Sequence, residues 1–350
     1  MFPAVNLTAV NYLSEAHHRG ERTVSAASVS NDIAEEWGKL HHLPSIYDEN
    51  FPLLFQNLAT AYSIDKIFCP VASVHNFITN FLLTHHSDIK LIGQSPVPNE
   101  IEKHRQLISR ANRLLPLVEL CADGLPTLSL LEIAGVLRQA SFVYGESNDD
   151  KLAALMGVFA NAPVGDVIEI GSLMGRTAFV LSHLATRHHI GPLLTVDPWL
   201  PGNAIQRDSP GLVTALGNDW DFEVLSEGFF VNMMPFSFDR HAHLRLPSEA
   251  AFKLYSTENK FQSRSGHCVN YSGRIAVIHI DGNHDYSCVK LDCELWLDRM
   301  LPGAWLILDD YIWLHGDGPH RVGDDLLMRR AQDFECSFVC GKALFIKFRC

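Results

Sequence analysis

The chain has 350 residues, 47% hydrophobic and 19% charged, which is room for one large or two ordinary globular domains with a real core. Its 40 acidic residues against 28 basic ones leave a formal net charge of −12, with no run of Lys or Arg, and this excludes a nucleic-acid phosphate backbone as the expected partner. No stretch reaches the ~18 apolar residues that span a bilayer, and the opening MFPAVNLTAV lacks the charged flank and apolar run of a secretory signal, so neither insertion nor export is expected.

The eight cysteines form no Cys-x-x-Cys pair and several fall within apolar runs, which suits reduced thiols in the cytoplasm. Residues 1 to about 45 are polar and weakly periodic. From Phe51 to about Ser141 the pattern is mostly helical, with short strands expected at 64–71 and 88–92. Ile101, Leu107, Ile108, Ala111, Leu114 and Leu115 make a helical stripe that should end before Pro116, and Thr127 can cap a second helix reaching Leu137. No motif for chemistry appears, so residues 1–145 read as an auxiliary, mainly helical domain. A turn at 142–148 marks the boundary, with Ser147 or Asn148 capping a helix at 151–159, and residues 146–350 form the second domain.

That domain begins with a hydrophobic strand running into Gly171-Ser172-Leu173-Met174-Gly175-Arg176-Thr177 and then a helix over 177–186. Gly171 permits a tight turn, Gly175 lets the helix start close to a ligand, and the N–H groups at a helix start can hold a carboxylate. The spacing is Glu-x-Gly-x3-Gly, which departs from the dinucleotide fingerprint and counts against a nicotinamide enzyme. The second strand, 193–197, ends in Asp197, where a carboxylate can accept hydrogen bonds from ribose hydroxyls. Residues 198–245 read as a long irregular insertion whose Trp199, Trp220, Phe229, Phe230 and Met233 either line an apolar pocket or pack beneath a loop. Ser248 is expected to cap the following helix near the same rim.

The segment 275–311 is the centre of the pattern. Ile275, Val277, Ile278 and Ile280 read as a strand buried on both faces, ending in Asp281. Ser287 can cap a helix whose Val289, Cys293, Trp296 and Met300 share one face, and a second strand over 304–308 ends in Asp309-Asp310. Parallel strands deliver their ends to one rim, so Asp281, His284, Asp309 and Asp310 should converge there. Three carboxylates beside an imidazole repel one another unless a positive charge sits among them. A hard divalent cation, Mg²⁺ or Mn²⁺, held by Asp281, Asp309 and Asp310 meets that need, with His284 as proton acceptor. The chain closes with a helix from Arg321 and an antiparallel hairpin over 337–339 and 343–348.

Together these motifs resemble the class I S-adenosylmethionine-dependent methyltransferases. Within that class they are most similar to the metal-dependent macrocin- and mycinamicin-type sugar O-methyltransferases and the cephalosporin-biosynthesis methyltransferase. The resemblance covers about 142–350. It implies an α/β, Rossmann-like class I methyltransferase fold, a mostly parallel sheet with a C-terminal antiparallel hairpin, beside the N-terminal auxiliary domain. It implies S-adenosyl-L-methionine as cofactor, contacted by Glu169, Gly171, Ser172, Gly175 and Thr177, with Asp197 on the ribose and Ser248 and Asp281 on the cofactor side of the rim. It also implies a metal on Asp281, Asp309 and Asp310, and His284 as general base on a hydroxyl of a small-molecule or sugar acceptor of secondary metabolism. The family pair is often Glu-Asp, and this chain has Asp309-Asp310, one methylene shorter at the first position. Members of the family often form homo-oligomers, which is the expectation here. Other readings stay open: a metal-independent N- or C-methyltransferase, another reaction of the sulfonium such as an internal cyclisation, or a non-catalytic binding protein that keeps the fold.

Overall fold

The computed structural model describes residues 1–29, 38–85, 87–237 and 239–350, and the stretch 30–37 of the N-terminal arm lies outside the described residues. The chain divides into two units, Met1–Gln106 and Leu107–Cys350. The division falls inside one helix, Pro96–Cys121, so the boundary expected at 145/146 lies within the second unit. That helix continues through Pro116 instead of stopping before it. Proline forfeits one backbone N–H, and here the buried face of Ala111, Leu114 and Val118 carries the helix across the loss.

The first unit holds the helices Leu7–His18, Phe51–Ala61 and Ala72–Thr84 around a core that includes Phe2, Phe51, Phe55, Ile78 and Phe81. Two short parallel strand pairs complete it. One joins Ser25–Ala27 to Leu40–His42, and the other joins Lys66–Phe68 to Lys90–Ile92, where the sequence pattern placed strands.

The second unit is built on a seven-stranded sheet. Its strands are β1 (Asp166–Ile170), β2 (Leu193–Val196), β3 (His241–Leu244), β4 (Ile275–Ile280), β5 (Met300–Leu308), β6 (Phe334–Cys340) and β7 (Ala343–Phe348). Their order is 6-7-5-4-1-2-3, parallel except that β7 runs antiparallel to both β5 and β6. Every residue of β1, β2 and β4 is buried, which accounts for their nearly unbroken apolar runs.

Helices cover both faces. One core gathers residues of α1 (Leu130–Phe142), α2 (Asp149–Val158), α3 (Arg176–Arg187) and α4 (Phe222–Ser237), among them Leu137, Leu155, Phe179 and Phe229, against Val167, Val277 and Ile307 of the sheet. The other gathers α5 (Ser248–Thr257), α6 (Tyr286–Trp296) and α7 (Gly318–Arg329) against Ile168, Ile278 and Leu306. Alternate strand residues thus serve opposite cores, as the two-residue side-chain period requires.

Three local expectations change. Helix α1 is capped by Ser129, in a reciprocal capping box with Glu132, while the Thr127 hydroxyl donates to the Met156 carbonyl at 3.4 Å. Helix α6 starts after Asp285, one turn position before Ser287. The insertion at 198–245 contains the 16-residue helix α4 and two shorter helices, Pro201–Ala204 and Gly211–Leu216. Its apolar residues go nearly all round α4, so no 3.6-residue stripe stood out in the sequence.

Register positions the site. Ile170 of β1 lies opposite Ile280 of β4, which lies opposite Leu308 of β5. Gly171, Asp281 and Asp309 therefore leave the sheet side by side, with Asp281 N–H donating to Ile170 O at 2.8 Å and Asp309 N–H to Ile280 O at 2.9 Å. Gly171 has φ +81°, and a Cβ there would stand 2.1 Å from the Asp281 carbonyl oxygen. Gly171→Ala combines left-handed strain with a backbone clash and is expected to lower the melting temperature by roughly 10 °C. A thermal melt within a degree or two of wild type would show that the strand ends are not packed this closely.

Candidate active site

Strand β1 turns at Gly171 and enters α3 through Gly175, which occupies the N-cap at φ +89°. No side chain caps α3, so its first-turn N–H groups are available to an anion such as the carboxylate of an amino-acid moiety. Asp197, at the end of β2, reaches across to this turn. Its Oδ2 accepts from Ser172 N–H at 2.9 Å and Leu173 N–H at 3.1 Å, and its Oδ1 from Trp199 N–H at 2.9 Å. Burial pushes its pKa up against the pull of these three donors. The expected ribose acceptor is therefore also the clamp on the glycine turn. From the other side, Trp199 Nε1 donates to Leu173 O at 3.1 Å and Asn232 Nδ2 to Met174 O at 2.8 Å.

Other cofactor residues sit deeper than expected. Glu169 is 1% exposed, and its carboxylate accepts from Ser172 Oγ at 2.8 Å and faces His279 Nδ1 at 3.3 Å. It braces the turn from beneath and is closed off from a ligand. The hydroxyls of Thr177 and Ser147 bond to each other at 2.7 Å. Ser248 is the first residue of α5 and not its cap, and its hydroxyl accepts from Trp296 Nε1 at 2.9 Å.

The four residues expected at the acidic rim are brought together, but in two groups that share Asp281. The inner group is His279, Asp281 and Asp309. Lys151 of α2, 1% exposed, donates to Asp309 Oδ2 and lies 3.8 Å from Asp281 Oδ2. His279 Nε2 is 3.8 Å from Asp309 Oδ2 and 3.9 Å from Asp281 Oδ2. The outer group is Asp281, His284 and Asp310. His284 Nε2 is 3.4 Å from Asp310 Oδ2 and 3.8 Å from Asp281 Oδ1, and Lys342 Nζ, from the β6–β7 turn, is 2.8 Å from Asp310 Oδ1. Asp310 has φ +50°, and this left-handed kink sends the two neighbouring acids to different groups.

Charge and burial work against each other here. Burial pulls Lys151 down, yet Asp309 and Asp281 outweigh it and the ammonium stays above its ordinary range. Burial pushes Asp309 up, and Lys151 overrides it to hold this carboxylate well below its usual value. Asp281 goes the other way, raised by burial and by the charge of Asp309. His284 is pulled down by burial and raised, on balance, by Asp281 and Asp310.

His284 is held by its chain neighbours. Asp285 accepts from the N–H groups of Arg207 at 2.9 Å and Asp208 at 2.8 Å. Asn283 Nδ2 donates to the carbonyls of Asn203 at 3.0 Å and Ile205 at 2.7 Å. The Asn-His-Asp run thus grips the 203–208 segment on both sides of the imidazole. The Trp313 ring lies edge-on to His284 with centroids 4.5 Å apart, beside exposed Ile312 and Leu314. Sequence reasoning missed Lys151, His279, Lys342, Asn283 and Asp285.

The outer group suits a hard divalent ion in its donors. Asp281 and Asp310 offer carboxylate oxygens, both ring nitrogens of His284 lack hydrogen-bond partners, and 28% of the Asp281 side chain is open. Asp309 falls in the inner group with His279 and Asp281, where Lys151 stands on its Oδ2 and its Oδ1 has no hydrogen-bond partner.

Residues 168–311 match the family model of a methyltransferase domain, and this span runs from within β1 through β2, β3, β4 and β5 to the acids Asp281, Asp309 and Asp310. The chain carries a class I methyltransferase domain. A domain of this class takes its methyl group from S-adenosylmethionine. Solved structures resemble the chain at low identity. The O-methyltransferase NovP is 12% identical over 69% of this chain and 100% of its own, with a TM-score of 0.40. The calicheamicin-biosynthesis TDP-rhamnose 3'-O-methyltransferase CalS11 is 15% identical over 73% and 96%, with a TM-score of 0.35. The O-methyltransferase TomG from Streptomyces achromogenes is 12% identical over 66% and 95%, with a TM-score of 0.36. Such likenesses carry no functional weight. No curated protein matches the chain. Among the described residues no helix is long and apolar enough to cross a membrane.

Asp197→Ala would strand three N–H donors, those of Ser172 and Leu173 in the glycine turn and that of Trp199 beside it, each costing about 1–3 kcal/mol where buried. The dissociation constant for S-adenosylmethionine, measured by calorimetry, is expected to rise at least about tenfold. A value within twofold of wild type would detach Asp197 from the cofactor site.

Proposed function

We propose that this methyltransferase transfers its methyl group to a hydroxyl of a small molecule or sugar, with His284 as the general base. One observation carries the reading. His284 is 12% exposed in its side chain, has no hydrogen-bond partner on either ring nitrogen, and faces Asp281 and Asp310 through Nε2. A hydroxyl must lose its proton to become a good nucleophile, whereas a neutral amine attacks without that help. Burial beside two carboxylates gives an imidazole that can take the proton and hold the resulting charge.

The acceptor oxygen attacks the methyl carbon in line with the sulfonium, the C–S bond breaks, and S-adenosylhomocysteine leaves. The proton passes to His284 Nε2, and Asp310 and Asp281 stabilise the imidazolium. Asn283 and Asp285 keep the ring from swinging by anchoring the backbone on either side of it. Alignment of this kind can supply several kcal/mol of the barrier. Asp281 and Asp310 are the residues that would hold Mg²⁺ or Mn²⁺, which, when bound, lowers the pKa of the acceptor hydroxyl. Trp313, with Ile312 at 54% and Leu314 at 94% exposure, gives the rim an apolar lip, which suits an acceptor with an apolar face next to its hydroxyl. The formal charge of −12 fits no polyanionic acceptor.

His284→Ala is expected to keep S-adenosylmethionine affinity within twofold while turnover falls about 10²–10⁴-fold. Exhaustive chelation should lower turnover and Mg²⁺ or Mn²⁺ restore it. Turnover of the variant within threefold of wild type would take His284 out of the reaction, and full activity after chelation would take the ion out.

A further inference from the structure

We infer that Lys151 is the resident cation of the inner acid group, closing the corner formed by His279, Asp281 and Asp309 to a divalent ion and thereby orienting Asp281 toward His284. The functional part of this rests on the methyltransferase reading above, and the charge part on geometry alone. Helix α2 is buried at every residue from Lys151 to Val158, and Lys151 is the single charged side chain in that run. An ammonium carried on such a helix has no route to water and must find its partners inside. It finds them in Asp309 and Asp281.

The inner corner has the spacing of a metal site, with His279 Nε2 and Asp309 Oδ1 buried and without hydrogen-bond partners, yet Lys151 already stands on Asp309 Oδ2 and beside Asp281 Oδ2. Its Nζ bonds Asp309 Oδ2 and stands 3.8 Å from Asp281 Oδ2, while His279 Nε2 lies 3.8 and 3.9 Å from those two oxygens. A divalent ion there would sit against a fixed positive charge with no water to screen it, so the corner takes one or the other. The charged and titratable groups around it are Glu169, His279, Asp281 and Asp309, with Asp310 beyond. Lys151 draws Asp281 Oδ2 inward, and this leaves Oδ1 as the oxygen that meets His284 at 3.8 Å. Lys151 is thus a positioning residue that acts through Asp281, and an ion is confined to the outer carboxylates of Asp281 and Asp310, beside His284.

Mn²⁺ binding to the full chain, read by electron paramagnetic resonance, tests this with three variants. Lys151→Met is expected to gain one Mn²⁺ equivalent that wild type lacks, Lys151→Arg to gain none, and Lys151→Met/Asp309→Asn to gain none. The melting temperature of Lys151→Met should fall by about 10 °C, because it leaves a buried carboxylate unpaired, and recover in the double variant. A folded Lys151→Met with no added Mn²⁺ equivalent overturns the inference. If the single variant does not fold, a folded double variant supports a counter-ion role, and an unfolded one overturns it by showing that Lys151 is needed for packing alone. Calorimetry of wild type with S-adenosylmethionine separates the two readings, since failure to bind would sink the enzyme and leave the Mn²⁺ comparison standing.

Discussion

Asp309 sits at the end of a buried strand with a second carboxylate directly after it and a third at the end of the neighbouring strand. Carboxylates crowded in this way raise one another's pKa until one gives up its charge or a cation joins them. Here the first cations are part of the chain. Lys151 comes up through the helical core to Asp309, and Lys342 comes over the hairpin turn to Asp310. Burying an ammonium is costly, and its pairing with Asp309 and Asp281 offsets that cost. Remove Lys151 and Asp309 is left as a buried carboxylate without its counter-charge.

The remaining parts of the site hang on the rim. Parallel register puts Gly171, Asp281 and Asp309 next to one another, so the glycine turn and the acids share one edge of the sheet. A buried chain joins the two: Ser172 bonds Glu169, Glu169 faces His279, and His279 faces Asp309 and Asp281. The glycine turn and the acids beside His284 are therefore braced by the same side chains. Asn283 and Asp285 add a second restraint on His284 from the 203–208 segment, and neither ring nitrogen of that imidazole has a hydrogen-bond partner.

Much of this was legible in the amino-acid order. The runs at 193–196 and 275–280 are apolar because both faces of their strands are covered, and Asp197 and Asp281, which follow them, fall where parallel strands must end. The rest depended on contacts between distant positions. Lys151 reads locally as an ordinary helix lysine after Asp149-Asp150, and its partner Asp309 is 158 positions away. A signal was present all the same. The helix that follows, Leu-Ala-Ala-Leu-Met-Gly-Val, is apolar on every face, so it had to be buried and its lysine with it. The sequence pattern calls for a positive charge among the three acids and points to a divalent ion, and two lysines from remote elements each bring one, Lys151 to Asp309 and Lys342 to Asp310. Helix α4 went unread for a related reason, since a helix apolar all round offers no stripe to find.

The most direct measurement is a crystal structure with S-adenosylhomocysteine and Mn²⁺, using anomalous scattering to place the metal. One anomalous peak is expected between the carboxylates of Asp281 and Asp310, with Lys151 Nζ still bonded to Asp309 and the nucleoside lying against the Gly171–Gly175 turn. A peak bound by Asp309, with the lysine displaced, would contradict the division of the acids into an inner ion pair and an outer reactive group.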